Sequence, residues 1–325
     1  MKLYSFLLNS MWLLVYAFLT GTLVSGTLDY TLNEQNELDV YYNGIHLIKH
    51  SDESPFLYLG SGKLAFKSHH GNFEISDYVE ERIGLNDVMV QYEEPDEIEI
   101  TFKRGTLSLR VTLTNKDGLL DITFGDLPSG MDRLWFRIKA DPEEYVYGAG
   151  EQFSYFNMKG QTFPIWTREQ GVGRNKSTYA TFEADNSDGG GGDYHTTYWA
   201  QPTFVSSKKY FLHSSVSSYV GFDFRHKDFH EVFISSLNPG HVAIRTANSF
   251  IELVSMLTNI LGRQPVLPDW IHSGIILGVQ GGTASMLEYL KMAEDQGVRV
   301  SGLWIQDWVG RITTSFGRRL FWNWE

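Results

Sequence analysis

The sequence predicts a β-sandwich followed by the opening of an α/β domain. Three observations carry this: apolar and polar residues alternate with period two from Leu28 to about Ala247, the period turns helical at Ser249, and a strand–helix–strand pattern follows Pro268. The chain has 325 residues, 42% of them hydrophobic, enough for a real core. With 39 acidic against 27 basic side chains the net charge is −12, the wrong sign for a protein whose main partner is nucleic acid. The absence of cysteine removes disulfides, thiolate metal sites and cysteine nucleophiles together.

The first element is a leader. After Lys2 no charge appears until Asp29, and Met11–Leu19 is a compact apolar run followed by the small residues Gly21, Ser25 and Gly26. A basic start, a short apolar stretch and a small-residue exit describe a secretory signal peptide, here residues 1–26. Its removal leaves no stable membrane span and places the protein in the secretory pathway, extracellular or lysosomal. The glycosylation sequon Asn175-Lys176-Ser177 lies in a polar, loop-like stretch.

Strands come next. Glu97–Lys103 alternates cleanly, turns at Arg104-Gly105, resumes as Leu107, Leu109, Val111 and Leu113, turns again at Lys116–Gly118 and continues as Leu120–Phe124. This is a meander with one face buried. Arg133–Ile138 and Thr203–Phe211 read as further alternating runs, and strands without intervening helices indicate a sandwich. The four glycines at 189–192 lack the Lys-Ser or Lys-Thr of a phosphate cradle and read as a flexible loop. His226 and His230 are four apart, but the phenylalanines around them indicate strand or loop, so no metal site and no cofactor are expected.

At Ser249-Phe250-Ile251-Glu252 a capping box opens a helix that Gly262 stops, and Pro265 and Pro268 mark a boundary. The sandwich is thus residues 27–264 and the second domain 265–325. Ser273–Val279 reads as a strand buried on both faces, Thr283 or Ser285 caps the next helix, and Val298–Ile305 is the second strand. A closed eight-stranded barrel takes about 250 residues. The chain is therefore expected to stop inside its second domain.

Ligands of parallel α/β domains bind at the carboxyl ends of strands. Gln280 and Gln306, 26 residues apart, end the two strands, with Asp307 beside the second. Amides, a carboxylate and neighbouring tryptophans suit a pyranose, which needs hydrogen bonds to hydroxyls and a flat apolar face. The same residues can equally cap their strands. Arg318 and Arg319 among Phe316, Phe321, Trp322 and Trp324 can form an anion clamp or a stacked surface patch.

Several motifs carry a resemblance. Val146–Phe153 resembles the glycine-glutamate signature near the end of the N-terminal β-domain of glycoside hydrolase family 31. Trp166–Asn175, Gly278–Gly282 and the run from Trp304 to Trp324 are similar to the sulfoquinovosidase branch of that family. The resemblance implies a mutarotase-like β-sandwich followed by the first βαβ unit of a truncated (β/α)8 TIM barrel. It implies a retaining α-glycosidase in which Gln280, Gln306, Arg319 and Trp322 match residues that recognise the sulfonated sugar, with Asp307 placed for its hydroxyls. The family's nucleophilic and acid/base aspartates are expected beyond Glu325, so no catalytic residue is assigned within the chain, which on this reading is inactive alone. The other expected readings are a family 31 α-glucosidase acting on neutral glucosides and a non-catalytic carbohydrate-binding protein.

Overall fold

The computed structural model describes residues 27–69, 72–116, 118–168, 173–188, 190–305, 311–314 and 317–320. The leader at 1–26 lies outside them. The elements, in chain order, are β1 (Leu28–Leu32), β2 (Leu38–Tyr42), β3 (Ile45–His50), β4 (Leu57–His69), β5 (Asn72–Leu85), β6 (Asp87–Glu94), β7 (Glu97–Arg104), β8 (Leu107–Lys116), β9 (Leu119–Phe124), β10 (Arg133–Lys139), β11 (Val146–Gly150) and β12 (Thr162–Ile165). They continue as α1 (Tyr179–Asp188), β13 (Ala200–Ser206), β14 (Tyr210–Ser214), β15 (Val220–Asp223), β16 (Phe229–Ser235), β17 (His241–Thr246), α2 (Phe250–Leu261), β18 (Ile275–Val279), α3 (Gly282–Asp295), β19 (Val300–Ile305), β20 (Arg311–Thr314) and β21 (Gly317–Leu320). Two compact units divide between Ile260 and Leu261.

In the first unit, two antiparallel sheets form the sandwich among the described residues. One has six strands in the order β12-β15-β16-β10-β4-β5, the other eight in the order β11-β13-β14-β17-β9-β8-β7-β6. Alternation decides which residues face inward: Ile98, Ile100 and Phe102 of β7, Leu109, Val111 and Leu113 of β8, and Leu134, Phe136 and Ile138 of β10 are all buried in one cluster. The register pairs Ile98 with Leu113 and Leu113 with Ile122, so the meander read from the sequence is present.

Three details depart from the sequence reading. The run Thr203–Phe211 is a hairpin, not one strand: β13 ends at Ser206 and Lys209 takes a left-handed φ of 64° before β14. A helix, α1, interrupts the strands, held at its start by Thr178, whose hydroxyl donates to the Asn175 carbonyl at 2.8 Å. Gly190 and Gly191 after it are tied down, the Gly190 amide donating to the Ala184 carbonyl at 3.0 Å. The Gly191 amide donates to Asp185 Oδ1 at 2.9 Å, and its carbonyl accepts from Lys176 Nζ at 2.8 Å.

Helix α2 is capped as its sequence dictates. The Glu252 amide donates to Ser249 Oγ at 3.2 Å, and Glu252 Oε2 accepts from the Asn248 amide at 3.3 Å.

The second unit, taken by itself, is a βαβ arrangement: β18 and β19 run parallel with α3 between them. Helix α3 starts from Gly281, at φ 96°, with no side-chain cap, so neither Thr283 nor Ser285 serves. The expected burial of β18 on both faces does not hold. Val279 is 3% exposed, but Ile275 and Ile276 are about half exposed, since among the described residues β18 pairs with β19 alone. No helix among the described residues is long and apolar enough to cross a membrane.

Candidate carbohydrate site

Strands β18 and β19 end level, with Val279 opposite Ile305. Immediately after Val279 the chain must turn into α3, and Gly281 and Gly282 do so with φ of 96° and 89°, angles open to glycine at little cost. Gln280, exposed, sits at this turn beside the uncapped first amides of α3. Arg319 lies on β21, opposite Ile312 of β20. Gln306, Asp307 and Trp322 lie outside the described residues. Of the five predicted residues the structure thus places Gln280 and the Arg319 backbone.

A second surface, on the sandwich, escaped sequence reasoning. The glycine-glutamate signature is a distorted strand: Gly148, Ala149 and Gly150 take φ of 121°, 58° and 84°, and the β11–β13 register shifts between Gly148 and Gly150. The distortion lets the backbone pass close to β13. A Cβ on Gly150 would lie 2.1 Å from the Trp199 carbonyl oxygen, and one on Gly148 would lie 2.8 Å from that of Thr203. The Glu151 amide donates to the Trp199 carbonyl at 2.8 Å. Gly150→Ala combines a left-handed strain with an unrelievable backbone collision. It is expected to destabilise the sandwich by roughly 2–5 kcal/mol, read as a lower urea midpoint at unchanged m-value.

This geometry opens a cavity of about 420 Å³ lined by Gly148, Gly150, Glu151, Trp199, Gln201 and Leu257, among others. Trp199 is 64% exposed there, and Phe153, Tyr155 and Tyr198 are exposed nearby in sequence. A flat indole, a carboxylate and an amide around one hollow have the chemistry of a sugar surface. Arg168 and Arg174 are each tied to segment 190–199. The Arg168 amide donates to the Thr197 carbonyl at 2.8 Å, and Arg174 donates to the Thr196 carbonyl while stacking on Phe153 at 4.6 Å. The sequence offered no local signal for this, since Gly150 and Trp199 meet only through the β11–β13 pairing.

Asn175 is exposed in a turn, its Oδ1 accepting from the Ser177 amide at 2.9 Å and the Ser177 hydroxyl at 2.7 Å. His226 stacks on Phe229 at 4.1 Å, whereas His230 is fully buried 3.3 Å from Glu144. Among the described residues no cluster of three or more His, Asp or Glu is placed to hold a metal.

Glu144 is the most perturbed carboxyl of the sandwich. Burial pushes its pKa up, but His230, the Ser206 hydroxyl and the Asp141 amide outweigh that and hold it at about 2. Tyr210 Oη donates to Glu144 Oε1 at 2.8 Å, the oxygen that also accepts from the Ser206 hydroxyl, while the Asp141 amide donates to Oε2. Burial drives His230 the other way from its usual range, downward, so it is neutral near pH 7. Both signs point to acid sensitivity. The unfolded chain takes up protons at His230 below about 6.5 and at Glu144 below about 4.5, where the folded chain does not. Folding stability is expected to fall as pH drops from about 6.5 toward 2. Urea unfolding from pH 7 to pH 3 measures it, and Glu144→Gln is expected to flatten the lower part of that slope.

Comparison with known proteins places these features. Residues 73–223 match the family described as the Glycosyl hydrolase 31 N-terminal galactose mutarotase-like domain. The chain is 41% identical over 301 residues to the sulfoquinovosidase of Escherichia coli (strain K12), covering 92% of this chain and 44% of that protein. It is 43% identical over 281 residues to the sulfoquinovosidase of Agrobacterium fabrum, covering 86% of this chain and 41% of that protein. A solved family 31 sulfoquinovosidase from E. rectale, in complex with the aza-sugar inhibitor IFGSQ, superposes with a TM-score of 0.80 at 40% identity, over 91% of this chain and 44% of that one. The chain spans less than half the length of the curated relatives it matches. By these matches residues 73–223 carry the glycoside hydrolase family 31 N-terminal mutarotase-like domain, and the chain as a whole is similar to sulfoquinovosidases of that family.

Proposed function

We propose that this chain is the sandwich and the first barrel strands of a retaining α-glycosidase that cleaves α-sulfoquinovosides. The observation that carries the reading is the identity of 41% and 43% to two sulfoquinovosidases over 92% and 86% of the chain. On this reading residues 1–26 are a signal peptide, 27–264 the sandwich and 265–325 the start of a (β/α)8 barrel. Asn175 carries a glycan if the protein passes through a secretory pathway. The nucleophile and the acid, about 5–5.5 Å apart in a retaining enzyme, belong to later barrel strands.

The residues of this chain bind the substrate and do not break the bond. Gln280, Gln306 and Asp307 take sugar hydroxyls and sulfonate oxygens at the strand ends, while Arg319 and Trp322 hold the sulfonate. That group is anionic at every physiological pH, so a fixed guanidinium fork suits it better than a titrating partner. The test joins residues 27–325 to the catalytic remainder of the Escherichia coli relative and compares kcat/KM for matched aryl α-sulfoquinovoside and aryl α-glucoside. A clear preference for the sulfonated substrate is expected. A preference for the neutral one refutes the reading and favours an α-glucosidase.

A further inference from the structure

On the outer face of the six-stranded sheet, Arg133, Trp135, Arg137 and Lys139 alternate along β10, three of the four cationic in a protein of net charge −12. Arg137 is held rigidly. Its Nε donates to Glu231 Oε2 at 2.9 Å, and its guanidinium lies over the rings of Tyr58 at 4.5 Å and Phe229 at 4.1 Å. Glu231 is shared with Arg82 at 2.6 Å, so one carboxylate serves two cations. Lys139 is oriented too, but not neutralised: its ammonium donates to the carbonyls of Ala140 at 2.8 Å and Asp228 at 3.2 Å. Two of its three donors are thus occupied by uncharged groups. Neither Lys139 nor Lys49 forms an ion pair among the described residues.

These groups surround a cavity of about 380 Å³ lined by Lys49, Ser54, Arg137, Lys139, Asp228 and Phe229. Its wall holds three cations, a hydroxyl loosely met by Arg137 Nη1 at 3.4 Å, and one carboxylate, on the exposed Asp228. Excess positive charge, donors fixed before any ligand arrives and room for a monosaccharide-sized body make a receptor for an anion. We infer that this pocket binds a tetrahedral oxyanion group, the chemistry common to phosphate, sulfate and sulfonate. The site is on the sandwich and does not rest on the proposed activity.

The full chain is titrated with sodium phosphate, sulfate and methanesulfonate, each balanced with sodium chloride to constant ionic strength, by calorimetry and by melting temperature. Saturable binding with a half-point in the millimolar range is expected, and the anion that binds most tightly identifies the source. Lys49→Gln with Lys139→Gln is expected to weaken binding by about tenfold or more, roughly one charge-assisted hydrogen bond. Both lysines lie away from the core, so the double variant keeps its melting temperature in chloride. Sulfate and phosphate stabilise folded proteins generally by exclusion, an effect that rises linearly and ignores the two lysines. A linear response, or equal binding by the double variant, overturns the inference.

Discussion

Replacing Arg319 with alanine, in a protein that carries the rest of the barrel, is expected to lower kcat/KM for an aryl α-sulfoquinovoside by about 10²–10⁴. The sulfonate would remain buried against the site without its cation, a loss commonly worth on the order of 3–5 kcal/mol. Arg319→Lys is expected to be damaging as well, because an ammonium cannot give two parallel hydrogen bonds to two oxygens. A neutral α-glucoside makes no such demand, so its kcat/KM is expected to change little. Equal losses on both substrates would make Arg319 a structural residue and remove the basis for sulfonate selectivity.

Arg133→Leu is expected to cost the sandwich about 3–5 kcal/mol, without any effect specific to substrate. Arg133 is 1% exposed, yet its guanidinium pairs with both Asp77 and Asp132. The facing strand is cut away to receive it. A Cβ on Gly62 would lie 2.7 Å from Arg133 Cζ, and one on Gly60 2.7 Å from the Trp135 ring, apart from backbone contacts to β5 that are shorter still. Leucine would fill part of the space but leave Asp77, only 17% exposed, facing no cation. Chemical denaturation measures the loss. Adding Asp77→Asn is expected to restore part of it, since the unpaired carboxylate is then gone; no recovery would mean that packing, not charge, is lost.

What the sequence disclosed follows the range of the interactions. The β7–β9 meander was legible because Glu97–Phe124 alternates and its turns carry glycine, so local pattern and pairing agree. The α2 cap was legible because Ser249 and Glu252 bond within one turn. Helix α1 was hidden because its residues show no apolar stripe. The β13–β14 hairpin was hidden because Lys209 adopts the left-handed angle that glycine would have advertised. The strand ends were predicted correctly at Val279 and Ile305, whereas the burial of β18 depends on neighbours outside its own segment. The hollow at Trp199 and the buried pair Glu144–His230 join positions far apart in sequence, which no period or spacing encodes.

Strand β10 has a consequence for how the protein is made. It alone links the β4–β5 pair to the β12-β15-β16 half of the six-stranded sheet, with Phe136 opposite Leu57 on one side and Val232 on the other. During synthesis β4 and β5 can pair with β10 as soon as Lys139 leaves the ribosome, but the other edge of β10 stays open until Phe229–Ser235 has been translated. At about 5–20 residues per second that delay is roughly 5–20 s. For that time the nascent chain presents a Leu-Trp-Phe edge with free backbone groups, a template for pairing with another chain. Slowed translation between β10 and β16 would lengthen the interval during which that edge stays open.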